Sequence, residues 1–335
     1  MILTYTNPVW PGYCADPFVL KWRGEYYAYG TGGNGTDLLQ PDGNVFPVLR
    51  SADFAHWEQV GGALRPLPGA TAYWAPEVAV RDGRFFLYYS AAGEGGDDAH
   101  RLRVAVADHP AGPFIDSGRL LLPDEGFTID AHPFRDPQDD RWYLFFAKDF
   151  FDARVGTALA AVPLADDMRP AAGPVTTILR PSADWQIHAR NREIYGRTWD
   201  AWHTVEGASI VVHEGRYYLL YSGGAWHTSE YGVGYAVADT VLGPYREPEA
   251  GPVVLRGVPG HVLGPGHNSI VFGPDDQTEF LAYHAWDLEK TARRLCLDPL
   301  VWTADGPRCS PTWTEQEIGS TLGGFNRPRS EEHHP

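Results

Sequence analysis

Five times along the chain a short apolar stretch carrying Asp, Glu or His is followed by a turn and an aromatic strand. The stretches are Ala15-Asp16-Pro17-Phe18-Val19, Pro76-Glu77-Val78-Ala79-Val80, Ile129-Asp130-Ala131-His132-Pro133-Phe134, Val205-Glu206-Gly207-Ala208-Ser209-Ile210 and Gly266-His267-Asn268-Ser269-Ile270. Their sequels run from Gly24 to Tyr29, Gly83 to Tyr89, Asp140 to Phe146, Gly215 to Tyr221 and Asp276 to Tyr283. An ionisable residue at the equivalent position of every unit has a geometric consequence. Units set around an axis would aim that position at one common spot, which would then hold four carboxylates and an imidazole.

The marked positions are 61, 53, 76 and 61 residues apart. A drifting period of that length suits blades with variable loops better than a stacked solenoid. Each unit also has a second half of alternating or apolar character, such as Leu102 to Ala107 and Val233 to Ala238. Turns such as Asp82-Gly83 and Glu214-Gly215 join the halves into hairpins, about four strands per unit. Four-stranded units repeated radially make a propeller, and five lies within its usual range of about four to eight blades. No amphipathic helix pattern with caps interrupts the rhythm. The expected fold is all-β, a five-bladed β-propeller with four-stranded antiparallel blades, over residues 1–318. A polar tail follows at 319–335, and its histidines read as tail composition.

Charge and hydropathy narrow the partners. A formal net charge of −16 argues against nucleic acid, whose binders need a basic face. No apolar run approaches the ~20 residues of a spanning helix, so no membrane is expected. The start, Met1-Ile-Leu-Thr-Tyr-Thr-Asn7, lacks a basic n-region and an apolar h-region. The expected location is cytoplasmic, with a trimmed leader as the alternative. Cys14, Cys296 and Cys309 form an odd, widely spaced set that reads as reduced core filler.

Two segments break the rhythm. Residues 31–46 form a Gly-rich loop in the first unit. Residues 170–203 form a long excursion before the fourth unit, rich in Trp, Arg and His (Trp185, His188, Arg190, Arg192, Trp202). Long loops in a compact domain are usually functional or disordered. Its aromatic content favours a place over the axial site.

Carboxylates facing one another across a wet pocket suit acetal cleavage. Glycoside hydrolysis needs a general acid of raised pKa and a second carboxylate that activates water or attacks the sugar. A third carboxylate can raise the acid's pKa by repulsion. Abundant Trp and Tyr supply flat faces for sugar rings. A single Asp or Glu at a strand end is most often a turn or cap residue; four at matching places in consecutive repeats read otherwise.

Asn7-Pro8 with Ala15-Asp16-Pro17, Trp74-Ala75-Pro76-Glu77, Ile129-Asp130-Ala131-His132, Val205-Glu206-Gly207 and Gly264-Pro265-Gly266-His267-Asn268-Ser269 together resemble glycoside hydrolase family 43. The likeness runs from residue 7 to about 315, one motif per unit. It implies inverting enzymes that act on L-arabinofuranosyl and D-xylosyl units of plant polysaccharides. It also implies roles: Asp16 as general base, Glu206 as general acid, Asp130 as the residue that tunes and orients the acid. By the same resemblance His267 binds calcium or another cation, largely through waters, and Arg293 reaches the innermost sugar, with Arg294 its rival. On chemical grounds a histidine is a poor calcium ligand, and a neutral imidazole bonded to a carboxylate is the competing reading. Trp74 is expected to stack on the sugar, with blade packing the alternative. Glu77 has no catalytic role in the resemblance. Phe134-Arg135-Asp136-Pro137 copies a motif of invertase-type propellers, but Asp136 falls in a turn and reads as turn chemistry.

The expected type is single-domain, without the added β-sandwich domain of the larger xylosidases in that family. The expected activity is exo-acting removal of α-L-arabinofuranosyl or β-D-xylosyl units from oligosaccharides, with no organic cofactor. An endo-1,5-α-L-arabinanase is the alternative. A non-catalytic carbohydrate-binding propeller is the alternative of another class, and a phosphorylase using Arg190 and Arg192 a remote third.

Overall fold

The computed structural model describes residues 3–33, 38–248 and 251–318; the tail at 319–335 lies outside them. Every regular element longer than three residues is a strand, and the described residues contain no α-helix. Three sheets are four-stranded meanders in chain order. They are Ala15–Trp22, Glu25–Thr31, Val45–Ser51 and Glu58–Leu64; Ala72–Arg81, Arg84–Ala92, Arg101–Ala107 and Ile115–Leu120; and Leu263–Phe272, Glu279–Trp286, Arg293–Thr303 and Gly306–Cys309. A larger sheet of eight strands joins Thr128–Arg135, Trp142–Phe150 and Gly156–Pro163 to Arg197–His213, Arg216–Gly223 and Gly232–Ala238. The join is a short parallel pairing of Gly156 with His203 and Thr157 with Thr204.

Local chemistry sets the hairpins. At Arg23-Gly24, Asp82-Gly83 and Glu214-Gly215 both turn residues have positive φ, the mirror-image turn whose twist matches that of paired strands. The strands after these turns are buried on both faces, which is why they read as continuous aromatic and aliphatic runs rather than alternating ones.

The sheets pack in a cycle. Apolar clusters lie between successive sheets, for example Tyr29, Val48 and Phe114 with Tyr73 and Tyr89. One cluster joins the last sheet to the first through Val271, Phe280 and Leu297 against Val19, Tyr26 and Leu49. Asn7 fastens that closure: its side chain donates to the Leu297 carbonyl and the Asp298 carboxylate, each at 2.9 Å. Thr4–Tyr5 pairs with Gln316–Glu317 beside it.

In all five inner strands the antiparallel register slips at the marked motif. Each slip carries one residue in the left-handed region: Asp16 (φ 49°), Ala75 (φ 48°), Asp130 (φ 57°), Gly207 (φ 59°) and His267 (φ 51°). A bulge of this kind bends its strand and re-aims the side chains around it. The structurally equivalent positions are therefore not the five ionisable ones expected from sequence. Glu206 stands one residue before its bulge and Glu77 two after. A sequence shift of one or two residues is easily absorbed by loose repeat alignment, but in a strand it decides the face a side chain takes.

Two further expectations change. The sheet portion built on Arg197–His213 has three strands of its own, and its outer edge carries isolated bridges, Val237 with Arg246 and Val233 with Leu255, in place of a fourth strand among the described residues. The 170–203 excursion is not a loop. It contains the strand Thr176–Leu179 and a hairpin in which Ile187–Ile194 pairs with the first half of the 17-residue strand Arg197–His213, around a Tyr195-Gly196 turn. Charged and polar residues interrupt the apolar ones in both hairpin strands, with Trp199 and Trp202 buried among them, so no apolar period announced them.

Candidate active site

The inner ends of the sheets surround a cavity of about 940 Å³. Asp16, Trp74, Asp130, Glu206, His267 and Arg293 all line it, so three of the four expected carboxylates and the imidazole converge on one place. The hairpin adds His188, Arg192, Tyr195 and Trp202 to one side.

Asp16 is held on both oxygens. Arg293 Nη1 donates to Oδ1 at 2.9 Å and the Thr31 hydroxyl donates to Oδ2 at 2.7 Å. His267 Nδ1 and His284 Nδ1 lie 3.4 and 3.3 Å from Oδ1. Burial alone would raise the Asp16 pKa, but the Arg293 guanidinium above all, with His267 beside it, outweighs burial and holds the carboxyl well below the usual range. Asp16 is therefore an ionised carboxylate across the ordinary pH range.

Glu206 has the opposite setting. Burial pushes its pKa up to about 7, with the charge of Asp16 adding to the shift, while a 2.7 Å hydrogen bond from the Tyr231 hydroxyl to Oε1 opposes it. Asp130 is raised well above its ordinary value by burial first and by Glu206 next. Its Oδ2 accepts the Gly207 amide at 3.1 Å, so it bears on the backbone that carries Glu206. Burial and mutual repulsion keep this pair from ionising fully near neutral pH.

Of Arg293 and Arg294, only Arg293 lines the cavity. Its guanidinium is buried, reaches the Tyr13 hydroxyl as well as Asp16, and lies 4.6 Å from the Trp226 ring centre. Arg294 instead bonds Asp287 at 2.8 Å. Trp74 lines the cavity and also stacks on His100 with ring centres 3.5 Å apart.

Glu77 does not line the cavity. Its Oε2 lies 2.8 Å from His132 Nδ1, and the Ile210 amide donates to His132 Nε2 at 3.2 Å. With Nε2 accepting, the ring proton sits on Nδ1 and points at Glu77, so the pair is a buried inter-sheet tie. Asp136 is likewise outside the cavity. It caps its turn at the Gln138 amide and accepts the Tyr217 hydroxyl at 2.6 Å.

Among the described residues no three His, Cys, Asp or Glu side chains converge as a metal-ligand set. His267 offers one ring nitrogen beside Asp16, already shared with Arg293. These residues do not fit a directly ligated cation.

Sequence reading missed Thr31, Ser222, His284 and Tyr231. The first three had a signal. Each follows the last Tyr of its strand, in Tyr29-Gly30-Thr31, Tyr221-Ser222 and Tyr283-His284. Each accepts the amide of a left-handed residue in the next sheet around the cycle: Ala75 to Thr31 at 2.9 Å, His267 to Ser222 at 2.7 Å, and Asp16 to His284 at 3.1 Å. Tyr231, in the segment before Gly232–Ala238, had no such signal.

An ionised carboxylate, a protonatable carboxyl pair and aromatic walls in one polar cavity of an all-β ring define a glycoside hydrolase. Comparison with known proteins agrees. The chain matches Glycosyl hydrolases family 43 over residues 5–307 and belongs to that family. A β-D-galactofuranosidase of Aspergillus niger is 28% identical over 90% of this chain and 83% of its own length. An extracellular exo-α-(1→5)-L-arabinofuranosidase of Streptomyces avermitilis is 23% identical over 91% of this chain, which spans 62% of that protein. A xylosidase/arabinosidase of Humicola insolens is 27% identical over 77% of this chain and 84% of its own. Among solved structures, a thermostable family-43 glycoside hydrolase superposes with a TM-score of 0.79 at 29% identity, over 98% of this chain and all of the other.

Proposed function

We propose that this chain is an inverting, exo-acting glycoside hydrolase that releases terminal α-L-arabinofuranosyl or β-D-xylosyl units from plant-derived oligosaccharides, on a five-bladed propeller. The observation that carries this reading is that one cavity is lined both by Asp16, bonded to the Arg293 guanidinium, and by Glu206, buried with the Tyr231 hydroxyl as its partner, settings that displace the two carboxyls in opposite directions. Asp16 draws a proton from the attacking water while Glu206 gives one to the departing glycosidic oxygen. Asp130 bears on the acid through Gly207 and resists its ionisation. Arg293 and Trp74 hold the sugar, and the hairpin wall supports a pocket closed on one side, hence exo action. The blade count rests on the five bulged inner strands and the cyclic apolar clusters.

The sugar itself has a second candidate. The Aspergillus niger relative is named for galactofuranose. A β-D-galactofuranosyl ring has the ring stereochemistry of α-L-arabinofuranose with one more exocyclic carbon. The test is hydrolysis of p-nitrophenyl α-L-arabinofuranoside, β-D-xyloside and β-D-galactofuranoside beside linear arabinan. The anomer first formed is read by proton NMR. Single sugars of inverted configuration support the proposal, and the rate ratio names the enzyme. Oligosaccharides from arabinan alone would make it an endo-arabinanase; turnover of none would leave a sugar-binding propeller. A water-held cation beside His267 is a separate part of the proposal. Melting with and without a chelator tests it, and an unchanged midpoint removes it.

A further inference from the structure

Tyr231 is buried, with its hydroxyl 2.7 Å from Glu206 Oε1. Its ring stacks on His284, centres 5.9 Å apart and planes within 7°. His284 in turn accepts the Asp16 amide on Nδ1. With that nitrogen accepting, and burial pushing its pKa down to about 4, His284 is a neutral ring. The place for Tyr231 is cut by Gly266: a Cβ there would stand 2.3 Å from Cε1 of the tyrosine. Nothing larger than glycine leaves the phenol where it is.

We infer that Tyr231 is a positioning residue for the proposed acid step, and that it directs the transferable proton of Glu206 onto Oε2. The inference rests on Glu206 being the acid. Because the phenol donates into Oε1, that oxygen is the acceptor side of the carboxyl, and the acidic proton resides on the other oxygen. During cleavage the proton passes from Oε2 to the glycosidic oxygen as the bond from that oxygen to C1 breaks. Water adds to C1 and yields its own proton to Asp16. Glu206 is left as a carboxylate, and the same phenol hydrogen bond stabilises it at that moment. A hydrogen bond to the charged form of an acid favours ionisation, so Tyr231 also keeps a deeply buried acid from holding its proton too tightly.

The test compares wild type with Tyr231→Phe, which keeps the ring and its stack on His284. Two independent readouts are used. The first is the titration of Glu206 by carbon NMR on protein labelled at glutamate Cδ, assigned by the signal lost in Glu206→Gln. The expected result is a rise of about one pKa unit in the Phe variant, the size expected for one lost hydrogen bond to a charged group. The second is turnover. The loss on arabinobiose or xylobiose should be about tenfold or more, against less than about threefold on the matching p-nitrophenyl glycoside, whose leaving group needs little protonation. The alkaline limb of the disaccharide profile should move up with the NMR value. An unmoved Glu206 titration overturns the inference, as does equal loss on both substrates. The NMR arm needs no turnover, so failure of wild type to cut any glycoside would count against the proposed function and not against the hydrogen bond.

Discussion

Arg293 and Asp16, from sheets at opposite ends of the chain, meet at 2.9 Å inside the cavity. The guanidinium is what keeps a buried carboxylate ionised, since burial alone would drive it the other way. Replacing Arg293 by Gln should therefore move the acid limb of the kcat/KM profile upward, toward or past the ordinary carboxylate range. The rate at the optimum should also fall by about 100-fold through lost contact with the sugar. A pH profile of the variant checks this; an unmoved acid limb would show that Asp16 does not govern it.

The wild-type profile follows from the two shifts. The proposed mechanism requires Asp16 ionised and Glu206 protonated. The alkaline limb should fall near pH 7, where Glu206 loses its proton. The acid side should stay level down to below about pH 4, because Asp16 is depressed beneath the usual aspartate value. An alkaline limb well above neutrality would mean another group is the acid.

Removing the two carboxyls should separate their roles. Glu206→Ala should lose natural linkages but keep much of its rate on substrates with good leaving groups. Asp16→Asn should be inactive with every leaving group, because water is no longer activated. Melting curves establish that each variant is folded.

Glu206→Gln should stabilise the fold at alkaline pH. In the folded wild type Glu206 keeps its proton up to about pH 7, whereas the unfolded chain gives it up near the ordinary glutamate value of 4.5. Stability therefore falls as pH rises through that window and stays lower above it. The midpoint gain of the Gln variant should be small at pH 5 and reach its full value at pH 8. A gain independent of pH would contradict the shift.

Gly207→Ala should cost stability and activity together. Gly207 has φ 59°, and an added Cβ would lie 3.3 Å from the His267 ring. The backbone term is of order 1 kcal/mol, and the crowded ring faces Asp16. Asp136→Asn offers the contrast. It weakens the bond from Tyr217 and should cost about 1–3 kcal/mol by denaturant melting, with kcat unchanged, since Asp136 lies outside the cavity. Loss of kcat in a folded Asp136→Asn variant would make the invertase-like motif functional.

What the sequence determined by itself was the repeat and its chemistry. The Asp16, Asp130, Glu206 and His267 motifs, the aromatic strands after Gly24, Gly83 and Gly215, and the positive-φ turns are local patterns of type and spacing. They survive without knowledge of what lies across the ring. Tertiary structure decided the rest. Whether Glu77 faces the cavity or His132 depends on where the left-handed residue falls, and Ala75 in that role carries no chemical mark. Glu206 and Asp16 are equivalent carboxyls on paper. Their opposite proton affinities come from Arg293, 277 positions from the Asp16 it touches, and from the burial of Glu206, which the Tyr231 hydroxyl 25 positions away only partly offsets. Electrostatic character in a buried site is set by neighbours in space, and neighbours in space are what a linear pattern does not contain.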